Sequence, residues 1–197
     1  MVSRADRSSV AKWWWTIDLY FLGGFLALMG LGIILSFAAS PAVAERIGLD
    51  PYHFVERQAF FMIPAFAVMI GVSFLNDRQV RRVALALLAV TLAMMIAVLF
   101  IGVEVKGSKR WLQLAGVSLQ PSEFMKPAFV VIAAWLFAER AKHPEIPGNL
   151  MATILFIIAA SLLIAQPDLG QTMLVTATWG AMFFMAGMPW LWILLMA

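Results

Sequence analysis

The chain has 197 residues, of which 63% are hydrophobic and 13% are charged, and its mean hydropathy is +0.90. This balance excludes a soluble globular domain, because water could not solvate so apolar a surface. The absence of cysteine from the sequence excludes disulfides and thiol chemistry, and the pI near 9.6 reflects short basic loops, so no nucleic-acid partner is expected.

Long uncharged segments follow one another along the chain and predict an all-α integral membrane protein, a polytopic helical bundle in one domain. Each segment is close to the roughly 20 residues that a helix needs to cross a bilayer. Trp13–Trp15 indicate an aromatic belt at the membrane face before the first segment. Asp18 either caps the first helix or pairs with a basic residue. Six complete spans are predicted at about residues 17–39, 58–76, 83–103, 122–138, 148–166 and 171–187, and the start of a seventh at 190–197.

The fourth span is too short to cross a membrane unless Glu123 and Lys126 lie within its first turns. Pro121 suits the first position of a helix, and Glu123 and Lys126 then lie at i and i+3, where they can pair. Pro127 removes a backbone hydrogen bond close to the membrane edge. Charged residues at membrane depth usually face a bundle interior or a water-filled cavity, which predicts a functional site. The alternative is a structural ion pair that steadies the start of the helix.

A second polar segment, Gln166–Gly170, lies between the fifth and sixth spans, on the same side as the first by counting crossings. Asp168 either caps the sixth helix through its side-chain oxygen or serves as a catalytic or metal-binding group. Placing the N-terminus in the cytoplasm puts eight Lys and Arg residues inside and six outside. Four of those six lie between Lys106 and Lys126. A cationic rim with carboxylates suits a phosphorylated substrate.

Three motifs at these positions together resemble the SEDS family of bacterial shape, elongation, division and sporulation proteins. They are Lys109–Trp111, Gln120–Lys126 and Gln166–Gly170. Ala39–Pro41 is more similar to the members that act in cell division. Gln171 departs from the family, which often has threonine directly after the glycine.

The resemblance implies a glycosyltransferase that polymerises lipid II, an undecaprenyl-diphosphate-linked disaccharide-pentapeptide, on the outer face of the bacterial cytoplasmic membrane at the division septum. The acceptor 4-hydroxyl attacks the donor's anomeric carbon, a carboxylate takes the proton, and diphosphate leaves with help from cations or a divalent metal, Mg²⁺ or Mn²⁺. The implied protein partners are a class B penicillin-binding protein and other division proteins. Glu123, Lys126 and Asp168 match family positions that line the central cavity. The remaining candidates for substrate binding are Gln120, Ser122 and Gln166 from the same motifs, with Lys109 and Arg110 for diphosphate contact.

Members of the family usually cross the membrane about ten times, so the resemblance implies that this chain is an N-terminal portion. It places the catalytic aspartate beyond Ala197, in an outer loop after the seventh helix, and we expect no polymerase activity from these 197 residues alone. Two other interpretations stay open. A lipid II flippase would need the same charges at membrane depth. A scaffold that positions a transpeptidase would not need the polar motifs.

Overall fold

The computed structural model of the protein describes residues 8–105, 108–114 and 117–187. The chain divides after Asn76 into two compact units. The first contains helices α1 to α3, and the second contains helices α4 to α7 and a small sheet. The described elements are α1 Ser9–Thr16, α2 Leu19–Arg46, α3 His53–Ser73, α4 Asp77–Ile101, β1 Val103–Val105, β2 Ser108–Leu114, β3 Val117–Leu119, α5 Pro121–Lys142, α6 Gly148–Ala165 and α7 Leu169–Met185.

The first unit is a pair of long apolar helices, α2 and α3, preceded by the short helix α1. Asp18 caps α2, because its carboxylate accepts hydrogen bonds from the backbone amides of Tyr20 and Phe21 in the first turn of the helix. The capping alternative for Asp18 is therefore the one observed. Trp13 stacks on Phe74, with ring centroids 5.0 Å apart, and donates a hydrogen bond of 2.7 Å to the Ser73 hydroxyl. These contacts attach α1 to the end of α3.

Helix α5 lies at the centre of the second unit, in contact with α4, α6, α7 and β2. Half of its apolar stretch is buried, which is a larger share than in any other candidate span. Small residues such as Ala133 and Ala159 let the backbones approach closely, as is common between membrane helices. Trp179 of α7 stacks between Phe156 of α6 and Phe183, with ring centroids 4.5 and 4.7 Å away. This packing brings the first turns of α5 and α7, where the two polar motifs lie, to the same end of the unit.

The segment between α4 and α5 forms an antiparallel sheet in the order β1-β2-β3, which the sequence analysis did not predict. Side chains alternate between the two faces of a strand. Ser108 and Leu112 are accordingly buried and Arg110 is half-buried, whereas Lys109 is exposed. Lys109 lies opposite Glu104 of β1. The alternation therefore places Arg110 and Lys109 on opposite faces of β2.

The predicted class, an all-α membrane bundle, is confirmed. Helices α2 to α6 are each long and apolar enough to cross a membrane. Helix α7 has 17 residues, at the lower end of the usual range. Helix α2 continues through Pro41 to Arg46, whereas the sequence predicted that the first span ends near residue 39. The predicted start of a seventh span at 190–197 lies outside the described residues, and the single domain stays a prediction.

Candidate functional site

Asp168 is the centre of the polar contacts at one end of the second unit. It is the residue that precedes α7, and its Oδ1 lies 3.5 Å from the backbone N of Gln171, so it caps that helix. The Arg110 guanidinium of β2 lies 3.3 Å from the same oxygen. The Asp168 side chain is 6% exposed and that of Arg110 is 32% exposed. The carboxylate is thus buried, while its cation reaches the surface.

The residue before α5 joins this pair. Gln120 donates hydrogen bonds through Nε2 to Asp168 Oδ2, at 3.2 Å, and to the buried Ser122 hydroxyl, at 3.1 Å. Arg110 also donates to the Ser108 hydroxyl, at 3.2 Å. We call Ser108, Arg110, Gln120, Ser122 and Asp168 the aspartate cluster. It connects β2, the start of α5 and the start of α7.

A second group of polar residues lies on the first turns of α5 and α7. Lys126 donates to Glu123 Oε2 at 2.8 Å, which confirms the predicted i, i+3 pair. It also donates to Gln171 Oε1 at 2.6 Å, and Gln171 Nε2 donates to Glu123 Oε1 at 3.0 Å. The Lys126 side chain is 18% exposed and that of Glu123 is 48% exposed. We call these three residues the lysine triangle.

The structure therefore brings together six of the eight predicted site residues. Lys109 is absent from both groups, because it lies on the other face of β2. Gln166 is also absent, since it is 1% exposed and donates a hydrogen bond of 2.9 Å to the Met95 carbonyl in α4. This bond ties the α6–α7 turn to the helix bundle, so Gln166 has a packing position. Lys106 lies outside the described residues.

Two sets of contacts were not predicted from the sequence: the Arg110–Asp168 pair and the contacts of Gln171. The Arg110–Asp168 pair joins residues far apart in the chain, which meet where β2 approaches the start of α7. Alternation in Ser108–Leu114 was a usable signal, since it separates Arg110 from Lys109. In the sequence, Gln171 stands out only as a departure from the family pattern. Its position three residues after Asp168, in the first turn of the next helix, was the signal that it would face the same groups.

Both carboxylates of the site are already engaged. Asp168 forms an ion pair with Arg110 and accepts hydrogen bonds from Gln120 and the Gln171 backbone, and Glu123 accepts from Lys126 and Gln171. Within residues 8–105, 108–114 and 117–187 no group of three His, Cys, Asp or Glu side chains lies close enough to hold a metal ion. These residues do not fit a metal site by themselves, and the divalent cation stays a prediction. The arrangement presents two fixed cations at one end of a bundle.

A bundle of long apolar helices with charged clusters at one end defines a polytopic membrane protein. The chain belongs to the FtsW/RodA/SpoVE family, described as cell cycle proteins, whose sequence pattern matches residues 19–197. This confirms the family that the motifs indicated.

Three similar proteins illustrate the relationship. A probable peptidoglycan glycosyltransferase FtsW from Caulobacter vibrioides is 48% identical over 193 residues, 98% of this chain and 50% of the relative. The crystal structure of the rod shape determining protein RodA from Thermus thermophilus has a TM-score of 0.76 at 24% identity, covering 92% of this chain and 57% of that one. A peptidoglycan synthase complex, reported to coordinate polymerization and crosslinking, has a TM-score of 0.62 at 24% identity, covering 84% and 50%. The chain spans about half the length of the curated relative it matches.

Proposed function

We propose that the whole protein polymerises lipid II into peptidoglycan strands during septal cell-wall synthesis. The observation that carries this proposal is that two ion pairs, Arg110–Asp168 and Lys126–Glu123, lie at the same end of the bundle. The name of the Caulobacter vibrioides relative, a probable peptidoglycan glycosyltransferase, supports the same activity.

The cations of the site suit the leaving group of this reaction. Arg110 and Lys126 are each held by a carboxylate and are each partly exposed. Both are therefore oriented before substrate arrives, and guanidinium and ammonium groups match phosphate oxygens. We assign them to the lipid-linked diphosphate, whose charge grows as the glycosidic bond to it breaks. Fixed donors aimed at developing charge stabilise a transition state without reorganisation.

The carboxylates have a different part in the proposal. Asp168 and Glu123 hold the cations in place, since their oxygens already form ion pairs with Arg110 and Lys126 and accept hydrogen bonds from Gln120 and Gln171. The proton from the acceptor hydroxyl then needs another carboxylate. The family resemblance assigns it to an aspartate in the outer loop after the seventh helix of the whole protein, and the engaged state of Asp168 and Glu123 supports that assignment.

The distribution of charge supports an outward-facing site. The opposite end of the second unit carries Arg78, Arg81 and Arg82 at the start of α4, and Arg140 and Lys142 at the end of α5. Short loops rich in Lys and Arg stay in the cytoplasm. We therefore propose that the aspartate cluster and the lysine triangle face the outer side and that the N-terminus is cytoplasmic.

Single-cysteine labelling tests this orientation, and residues 1–197 contribute no background because they contain no cysteine. Ser118 of β3 and His143 after α5 are both exposed and lie at opposite ends of the second unit. A membrane-impermeant maleimide should label S118C in intact spheroplasts and H143C only after lysis. The reverse pattern would overturn the orientation.

A partner is expected for cross-linking the new strands. We propose a class B penicillin-binding protein, on the family resemblance and on the fold shared with a complex reported to coordinate polymerization and crosslinking. Co-purification of such a transpeptidase with the tagged protein is the expected result. If the protein acts only as a scaffold, variants of the polar site should still bind the partner and should still support division.

Strand synthesis in detergent tests the activity. The protein as its gene encodes it is supplied with fluorescent lipid II, alone and with the transpeptidase, and products are separated by length. We expect strands from the unsubstituted protein and from a D77N control, and none from R110Q or D168N. Detergent micelles leave no bilayer to cross, so a flippase yields no strands there. If R110Q and D168N make as many strands as the unsubstituted protein, the proposed site is wrong.

A further inference from the structure

Gln171, in the first turn of α7, contacts both charged members of the lysine triangle. Its Oε1 lies 2.6 Å from Lys126 Nζ and its Nε2 lies 3.0 Å from Glu123 Oε1, while Lys126 and Glu123 are 2.8 Å apart. Each of the three side chains therefore touches the other two. The backbone N of Gln171 is also the group that Asp168 caps.

The chemistry of the three groups determines which way the amide points. A lysine ammonium only donates hydrogen bonds and an ionised carboxylate only accepts them. A side-chain amide has an oxygen that accepts hydrogen bonds and an NH₂ group that donates them. Its oxygen must therefore face Lys126 and its nitrogen must face Glu123. A leucine at this position would make neither bond. A threonine, which the family often has directly after the glycine, carries its hydroxyl on Cβ and is too short to make both bonds in this way.

Lysine side chains are long and flexible, and ordering one costs conformational entropy. A single partner one turn away on the same helix leaves Lys126 free to swing about that partner. A second partner on α7 restricts the ammonium to one place between the two helices. The Gln171 contacts also link the lysine triangle to Asp168 through the first turn of α7.

We propose that Gln171 is a positioning residue that, together with the Glu123 carboxylate, fixes the Lys126 ammonium in the position that receives the diphosphate of the lipid-linked substrate. This inference rests on the proposed function. It assigns to this chain a clamp built from an amide, at a position where the family often has a shorter side chain. Gln171 acts through Lys126 and Glu123 and has no assigned contact with the reacting atoms.

Steady-state kinetics with lipid II on the protein as its gene encodes it tests the clamp. Q171L removes two hydrogen bonds to charged groups, and we expect it to raise KM about tenfold with a smaller effect on kcat. Q171E places a second carboxylate beside Glu123 and should be at least as damaging. If Q171L does not accumulate in membranes, Q171M supplies the same comparison.

The exchange variant Q171E/E123Q is the decisive one. It swaps the amide and the carboxylate, so the ammonium of Lys126 keeps two acceptors and the amide–carboxylate bond can form in reverse. We expect its KM to return to within about threefold of the unsubstituted protein, because the same number of charged hydrogen bonds is present. A residue that only packs α7 against α5 would not show this rescue. A KM as high as that of Q171E would overturn the inference.

Parallel assays of R110Q separate the two claims. If R110Q is inactive while Q171L matches the unsubstituted protein in both KM and kcat, the clamp is wrong and the proposed site stands. If R110Q retains full strand synthesis, the proposed site itself is wrong, and the clamp with it. The melting temperature of each variant in the same detergent identifies losses of activity that come from unfolding.

Discussion

The Arg110–Asp168 pair gives the sharpest stability prediction. D168N keeps the size of the side chain and an oxygen that can cap α7, but it removes the charge and turns an NH₂ group towards a donor. D168A removes the cap as well. The matched partner variant is R110Q, and the double variant D168N/R110Q completes a cycle that isolates the pair.

The magnitude follows from burial. Removing one partner of a buried ion pair costs about 3–5 kcal/mol, whereas an exposed pair contributes about 0–1 kcal/mol. The pair lies between these limits, since the Asp168 side chain is 6% exposed and that of Arg110 is 32% exposed. We therefore expect D168N to lower the free energy of unfolding by about 1–3 kcal/mol. D168A should lose about 1 kcal/mol more through the missing N-cap.

The assay is reversible unfolding in mixed micelles of a mild detergent and increasing dodecyl sulfate, with tryptophan fluorescence as the signal. D77N is the matched control, because Asp77 also lies at the start of a helix but is exposed. It should change the free energy of unfolding by no more than about 0.5 kcal/mol. Each variant is measured at the same protein and detergent concentrations.

The cycle decides whether the contact exists. A coupling free energy of about 1–2 kcal/mol between positions 110 and 168 is expected, because two residues in contact lose less together than the sum of the single losses. Strictly additive single effects would refute the pairing, and with it the claim that β2 is fixed to the start of α7. An effect of D168N no larger than that of D77N would do the same.

Two further predictions concern the packing that holds the site in place. A Cβ on Gly148 would meet the Leu136 carbonyl, so G148A should force α5 and α6 apart and lower the melting temperature. G170A is the control, because a Cβ there would have open space, and it should leave the melting temperature unchanged. Equal melting temperatures for the two variants would contradict the observed packing. Trp179 is buried, stacks on Phe156 and has no hydrogen-bond partner on Nε1 among the residues that the structure describes. W179F should therefore cost far less free energy of unfolding than W179A, for which about 3–5 kcal/mol is expected.

Local sequence patterns predicted the fold class and the parts of the site that depend on neighbours in the chain. Apolar length predicted the helices, and the i, i+3 spacing predicted the Lys126–Glu123 pair. Pro121 does stand at the first position of α5, and Asp168 does cap α7. Each of these features follows from a few consecutive residues and the geometry of one helix.

The features of the fold and the site that were not predicted depend on residues far apart in the chain. The sheet between α4 and α5 separates Arg110 from Lys109, and nothing in hydropathy distinguishes these two cations. Gln171 contacts Lys126 of α5, and Arg110 contacts Asp168 before α7. Both contacts depend on how separate elements pack together, which the sequence of one helix alone does not determine. Gln166 was expected at the site because its motif is polar, but its amide satisfies the Met95 carbonyl inside the bundle.

The most direct test of the central claim is to map where the substrate's diphosphate binds. A lipid II analogue with a photoreactive group beside the diphosphate is cross-linked to the protein as its gene encodes it, and the modified peptides are identified by mass spectrometry. We predict modification within residues 108–126 and 166–172, lost in R110Q and absent with a polyprenol probe that lacks the diphosphate. Modification confined to residues 78–82 or 140–142, at the other end of the second unit, would contradict the account.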